Sequence, residues 1–137
     1  MLRKKILYST FALVILVYIL HVVALKFYFY WQLPWFDIPM HFLGGIFTGL
    51  IVLYVYMLTK GQENILEIKE NTLMNLILIT IAIVGIVWEV WEYSFGLSFT
   101  RGNDFFGTIE DLYVGVIGAL ALYFFAKNYL VTFVNKN

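Results

Sequence analysis

Seven side chains that can bind a metal ion or carry a proton lie near the ends of otherwise apolar segments of this chain. They belong to Asp37, His41, Glu89, Glu92, Asp104, Glu110 and Asp111. The set contains six of the nine carboxylates and one of the two histidines in the sequence. Ionisable groups beside hydrocarbon are costly unless they are paired, hydrated or bound to an ion, so the set predicts a functional site.

The residue types in this set favour a divalent metal ion. Carboxylates with one imidazole and no thiolate suit Zn²⁺, Mn²⁺ or Fe²⁺, whereas Mg²⁺ or Ca²⁺ would fit only if the imidazole is not a ligand. The metal ligands that we predict are Asp37, His41, Glu89, Glu92 and Asp111. Beside them we expect Asp104, Thr108 and Glu110. The sequence has no glycine-rich phosphate cradle and therefore implies no organic cofactor.

A metal ion in such a site could polarise a phosphoryl or acyl oxygen, or activate a water molecule, with a spare carboxylate as general base. Glu89 and Glu92 are candidates for that catalytic role, and the planar fork of Arg101 suits an anionic group. Two other functions stay open: transport of protons or cations, and binding of a lipid or cell-wall precursor without chemistry. Nothing ionisable continues along these segments until Lys60 and Lys127, which counts against a complete conduction path.

Simpler structural roles are available for several of these residues. Asp37 could cap the N-terminus of a helix, and Thr108-Ile109-Glu110-Asp111 resembles a capping box. Glu92 could lie among hydrated head groups. His21 is expected to be a lone histidine at the membrane interface.

A network of salt bridges does not account for His41 and Glu89, each of which lies about one turn inside its apolar segment. If the apolar segments cross a membrane, only Lys26 and Arg101 are expected on the same side as the six carboxylates. Carboxylates in such excess must share protons, bind a metal ion or line water. The sequence therefore predicts that something other than lysine or arginine compensates the charge.

Four apolar stretches must position these residues, and they run through about residues 6–25, 38–58, 73–95 and 109–134. Each meets the length of about 20 residues that crosses a bilayer as a helix. Of the 137 residues, 62% are hydrophobic and 13% are charged, far fewer charges than a soluble domain carries. The sequence therefore predicts an all-α bundle of four transmembrane helices that forms a single domain over residues 1–137. With no cysteine, it has no disulfide and no thiolate metal site.

The distribution of lysine and arginine predicts the orientation of the bundle. One side would carry Arg3, Lys4, Lys5, Lys60, Lys69, Lys127 and Lys136, and the other would carry Lys26 and Arg101. This asymmetry of seven to two places both termini in the cytoplasm and the carboxylates outside. The first stretch also resembles a signal peptide, but its length, the lack of a cleavage site and the aromatic residues 27–31 favour a retained helix.

This topology predicts a multi-pass protein of the cell (inner or cytoplasmic) membrane. Its expected partners are membrane lipids and a lipid-linked or cell-envelope substrate, with no nucleic acid. Small residues follow the polar ones along the helices, and they are Gly44, Gly45, Thr48, Gly49, Ala82, Gly85, Gly115 and Gly118. Small residues let helix backbones approach closely, so we expect them to hold the polar groups facing one another.

These motifs resemble two groups of small bacterial membrane proteins, the YjdF-type proteins and, more distantly, the VanZ-like proteins. The YjdF-type pattern is matched by Asp37-Ile38-Pro39-Met40-His41, Glu89-Val90-Trp91-Glu92-Tyr93, Thr108-Ile109-Glu110-Asp111 and Gly118-Ala119. The resemblance covers roughly Asp37 to Leu120, most of the chain, through short motifs in apolar sequence. It implies the same polar site but names no reaction.

The chain also departs from both patterns. Gly107 stands where YjdF-type proteins carry a further aspartate. Ile38, Glu92 and Gly115 stand where VanZ-like proteins carry lysine, glutamine and asparagine. VanZ-like proteins are associated with low-level resistance to teicoplanin-type antibiotics, and YjdF-type proteins have no settled activity, so the resemblance supports the site and says little about the reaction.

Overall fold

The computed structural model of the protein describes residues 2–33, 35–61, 70–95 and 105–134. Within these ranges it contains helices and no strand: α1 (Leu2–Lys26), α2 (Phe29–Gln32), α3 (Asp37–Lys60), α4 (Glu70–Phe95) and α5 (Phe105–Val134). The four long helices are each long and apolar enough to cross a membrane. The prediction of four such helices is confirmed, although α5 begins at Phe105 rather than near residue 109.

The helical bundle is built around α3, which packs against α5 most extensively and also against α1 and α4. The end of the bundle near Lys60 carries the apolar core, which includes Leu50, Leu53, Met57, Ile77, Ala119 and Tyr123. Large apolar side chains also cover the outside, and Phe11, Ile79 and Val87 are each more than half exposed. Such a surface is unfavourable in water and suits lipid.

Glycines hold α3 and α5 in direct backbone contact. A Cβ atom on Gly45 would overlap the carbonyl oxygen of Gly115, and one on Gly118 would overlap the carbonyl oxygen of Phe42. The predicted close approach at these glycines is confirmed. On α4, Gly85 faces the Leu112 side chain, but Ala82 is exposed, so the expectation that it continues the contact face is wrong.

The aromatic stretch after α1 forms the short helix α2, which the sequence did not predict. Tyr28 adopts a left-handed conformation with φ 57°, and this turns the chain back before α2 begins. The turn buries Tyr30, whose ring packs edge-on against Phe36 and also faces His21 on α1. Tyr30 therefore lies at the end of the bundle that carries Asp37.

Candidate functional site

Asp37 and His41 lie one turn apart at the beginning of α3. The Oδ1 atom of Asp37 is 3.5 Å from Nε2 of His41, and the two side chains are 19% and 14% exposed. The capping position belongs to Phe36, and Asp37 is the first residue of the helix. The alternative that Asp37 serves as an N-cap is therefore wrong, because its carboxylate faces His41 along the helix.

Asp111 on α5 completes the contact around His41, with its Oδ2 atom 3.7 Å from Nε2. The glycine contact explains why these side chains meet. Gly45 and Gly115 lie four residues after His41 and Asp111, so they occupy the same helix faces one turn further along. Because the two glycines pack backbone to backbone, they bring the faces that carry His41 and Asp111 together.

Glu89 and Glu92 on α4 also lie close to His41. The Thr108 hydroxyl donates a hydrogen bond of 2.9 Å to Oε2 of Glu89 and so fixes that carboxylate from α5. Thr108 lies inside α5, three residues after its beginning, so the capping-box alternative for Thr108 and Asp111 is wrong. Glu92 is partly buried and lines the same cavity as His41, so it does not lie only among hydrated head groups.

These five residues form what we name the carboxylate–histidine cluster: Asp37, His41, Glu89, Glu92 and Asp111. Within it, Asp37, His41 and Asp111 make one group of three, and His41, Glu89 and Glu92 make another. In each group the nearest ligand-type atoms lie within 4.8 Å of one another. The five residues that the sequence singled out as metal ligands thus come together around one imidazole.

Two of the remaining predicted site residues, Thr108 and Glu110, are described by the structure and are not members of the cluster. Glu110 precedes Asp111 on α5 and belongs to neither group of three. Arg101 and Asp104 lie outside the described residues. Thr108 contributes through its bond to Glu89 rather than as a member of either group.

The cluster lines one part of a partly open cavity of about 320 Å³ between α1, α3, α4 and α5. The rest of its wall is mostly apolar and includes Val14, Phe47, Ile81, Val84 and Leu112. None of the described residues that line it is a lysine or arginine. The cavity therefore joins a strongly acidic patch to an apolar wall.

The sequence did not predict the pair formed by His21 and Tyr30, which also lines this cavity. Nδ1 of His21 lies 2.9 Å from the Tyr30 hydroxyl, so His21 is not a lone histidine. Burial, followed by the negative charges of Asp37 and Glu92, raises the pKa of the Tyr30 phenol well above its usual range. The phenol therefore stays protonated and can donate a hydrogen bond next to the cluster. His21 and Tyr30 are nine residues apart with a turn between them, so the periodicity of a helix could not have predicted this pair.

The sequence profile of a family described as "Predicted membrane protein (DUF2238)" matches residues 3–131. No curated protein and no solved structure matches the chain. Because the match covers nearly all of it, the chain belongs to the DUF2238 family, which is the family of the YjdF-type proteins. The VanZ-like resemblance stays a prediction.

Proposed function

We propose that this member of the DUF2238 family binds a divalent metal ion in the membrane through its carboxylate–histidine cluster. The observation that carries the proposal is the convergence of four carboxylates and one imidazole from three helices. The ion would be Zn²⁺, Mn²⁺ or Fe²⁺, because these metals accept mixed imidazole and carboxylate ligands.

The distances around His41 fit those expected between ligand atoms of one ion. Hydrogen bonds between nitrogen and oxygen are about 2.7 to 3.2 Å long. The separations from His41 Nε2 to Asp37 and Asp111 are 3.5 and 3.7 Å, which are longer. Two ligand atoms held about 2.1 Å from one ion at the tetrahedral angle lie about 3.4 Å apart. Small side-chain movements would thus place these atoms around one ion.

The charge of the cluster also favours a bound cation. Four carboxylates face one imidazole, and among the described residues lining the cavity there is no lysine or arginine to pair with them. Ions removed from water without partners cost several kcal/mol each, so the folded protein needs a compensating charge. A divalent ion supplies two positive charges at the centre of the group.

We place the cluster on the outward side, with both termini in the cytoplasm, in the inner (cytoplasmic) membrane. The support is the seven-to-two asymmetry of lysine and arginine. Reporter fusions after residue 137 and within residues 98–103 should report opposite sides of the membrane. A cytoplasmic signal from the second fusion, or an external one from the first, would reject this orientation.

We further propose that the bound metal ion takes part in a reaction. A carboxylate of the cluster that is not bound to the ion, Glu89 or Glu92, could act as general base for a metal-bound water. Arg101 follows α4 in the chain and is the candidate for contacting an anionic group of the substrate that does not lie at the cluster. The substrate class that suits a membrane site is a lipid-linked or cell-envelope molecule.

The test is metal analysis of the detergent-purified protein together with thermal unfolding in Zn²⁺, Mn²⁺ or Fe²⁺ and in chelator. A ligand at about 100 times its Kd stabilises the folded state by about 2.7 kcal/mol, so the melting temperature should rise with metal concentration. His41→Ala and Glu89→Gln should abolish this rise. Glu63→Gln, in the segment between α3 and α4, is the matched control and should leave it intact.

A melting temperature that does not depend on metal would contradict the proposal. If the melting temperature of the unaltered protein responds to neither metal nor chelator, the charge is compensated by shared protons, and the metal proposal is rejected. Proton or cation transport, or binding without chemistry, would then be the better function.

A further inference from the structure

The cavity beside the cluster extends along the helices. On α3 its lining runs from Asp37 to Thr48, and on α4 from Ile81 to Glu92. Each stretch covers eleven residue steps, which is about 16 Å at 1.5 Å per residue. The cavity therefore follows the helix axes for about half of the 30 Å hydrocarbon thickness of a bilayer.

Polarity changes along this length. The cluster lies at the end that is near the beginning of α3, and Tyr30 and His21 lie at the same end. The opposite end is lined by apolar side chains that include Val14, Phe47 and Ile81. A cavity as long as one lipid leaflet, polar at the membrane surface and apolar towards the midplane, has the shape and polarity of an amphiphile.

The volume is large enough for a hydrocarbon chain. Apolar groups in contact lie about 4 to 4.5 Å apart, so one chain needs a channel of roughly 20 Å² in cross-section. A volume of about 320 Å³ spread over that 16 Å gives a cross-section of at least about 20 Å². The cavity therefore has room for a hydrocarbon chain.

We propose that this cavity holds a hydrocarbon chain of a membrane amphiphile whose head group carries no net negative charge and lies at the carboxylate–histidine cluster. The tail part of the proposal depends only on the cavity. The head-group part builds on the metal site proposed above, because it takes the same cluster as its contact.

The charge of the head group follows from the charges that line the cavity. Four carboxylates and one divalent ion would leave about two negative charges in a group of low hydration. A cationic head group would reduce this excess, whereas a phosphate would add to it. Without the metal ion the preference for a cation would be stronger still.

Gly44 provides a way to block the cavity without disturbing the helices. It lines the cavity, and a Cβ atom built on it meets no other atom within 4 Å. The side chain of Gly44→Leu would therefore enter the cavity, and leucine favours a helix more than glycine does. Ala82→Leu is the matched control, because Ala82 is exposed on α4 and does not line the cavity.

The experiment uses the full chain in lipid nanodiscs and a long-chain alkylamine with a photoreactive diazirine near the end of its tail. Labelled peptides are mapped by mass spectrometry, and folding of each variant is checked by its melting temperature. We expect labels on α1, α3 or α4 at residues that line the apolar end, such as Val17, Phe47 or Ile81. Gly44→Leu should lower this labelling at least tenfold, and Ala82→Leu should not. An alkyl phosphate with the same tail should label less than the alkylamine.

Equal labelling of Gly44→Leu and the unaltered protein, or labels confined to exposed lipid-facing residues, would overturn the tail assignment. Labelling by the alkyl phosphate that equals or exceeds that by the alkylamine would overturn the head-group assignment. Metal content is measured on the same samples. If the protein binds metal but Gly44→Leu does not change the labelling, this inference is rejected and the proposed metal function is kept. Gly44-sensitive labelling without metal binding rejects the proposed metal function alone.

Discussion

The contact between α3 and α5 makes a sharp prediction about two adjacent glycines. Gly45→Ala should destabilise the protein, and Gly44→Ala should not, although both substitutions add one methyl group to the same helix. The added Cβ at position 45 would overlap the backbone carbonyl of Gly115, whereas the one at position 44 meets nothing within 4 Å. The pair therefore separates the effect of helix contact from the effect of composition.

The magnitudes follow from two opposing terms. Overpacking a tight contact costs about 1 to 3 kcal/mol, and the upper end applies at position 45 because the atom in the way is backbone and cannot rotate aside. Replacing glycine by alanine inside a helix gains about 1 kcal/mol. We expect Gly45→Ala to lower the free energy of unfolding by about 2 kcal/mol and Gly44→Ala to raise it by up to about 1 kcal/mol.

The assay is reversible unfolding in mixed micelles titrated with sodium dodecyl sulfate, followed by circular dichroism. Metal affinity is measured on the same variants, since Gly45 and Gly115 align the faces that carry His41 and Asp111. Gly45→Ala should weaken metal binding as well as stability. Equal stability of Gly45→Ala and Gly44→Ala would show that α3 and α5 do not meet at Gly45, and the account of how the cluster is assembled would fail.

Three further outcomes are expected. Thr108→Val should lower metal affinity by about 10- to 100-fold because it frees the Glu89 carboxylate, whereas Thr59→Val, which loses bonds only within its own helix, should not. Tyr30→Phe should cost about 1 kcal/mol of stability, and it should cost less once His21 has been replaced, as measured in a double-mutant cycle. Folding raises the pKa of the Tyr30 phenol, so the stability that this phenol contributes is present below a pH of about 10 and is lost as the pH rises further. In a series of unfolding curves at increasing pH, Tyr30→Phe should therefore lose less stability at alkaline pH than the unaltered protein does.

The sequence predicted correctly the features that depend on the residue pattern within one helix. The apolar stretches predicted the four long helices, and Asp37 and His41 have the i, i+4 spacing that places two side chains on one helix face. The small residues that follow the polar ones along the helices indicated that the polar residues of different helices would meet. When ionisable groups of different helices face one another, they are kept out of the surrounding hydrocarbon.

The sequence could not determine features that depend on contacts between helices. Thr108 matches a capping box by its type and spacing, but α5 begins earlier and Thr108 reaches across to Glu89. His21 and Tyr30 are joined by a turn whose left-handed residue is Tyr28, and a tyrosine carries no signal for that conformation. These roles are set by where a neighbouring helix lies, which no local pattern records.

Gly44 and Gly45 show the same limit within two residues. Successive helix positions differ by about 100° in direction, so adjacent glycines cannot both face α5. Gly45 faces it, and the missing side chain lets two backbones touch. Gly44 faces away from that contact, and its missing side chain leaves part of the cavity open. One stretch of sequence thus brings His41 to Asp111 and also leaves the space beside them, so the metal site and the amphiphile cavity that we propose have a common origin in the packing of α3.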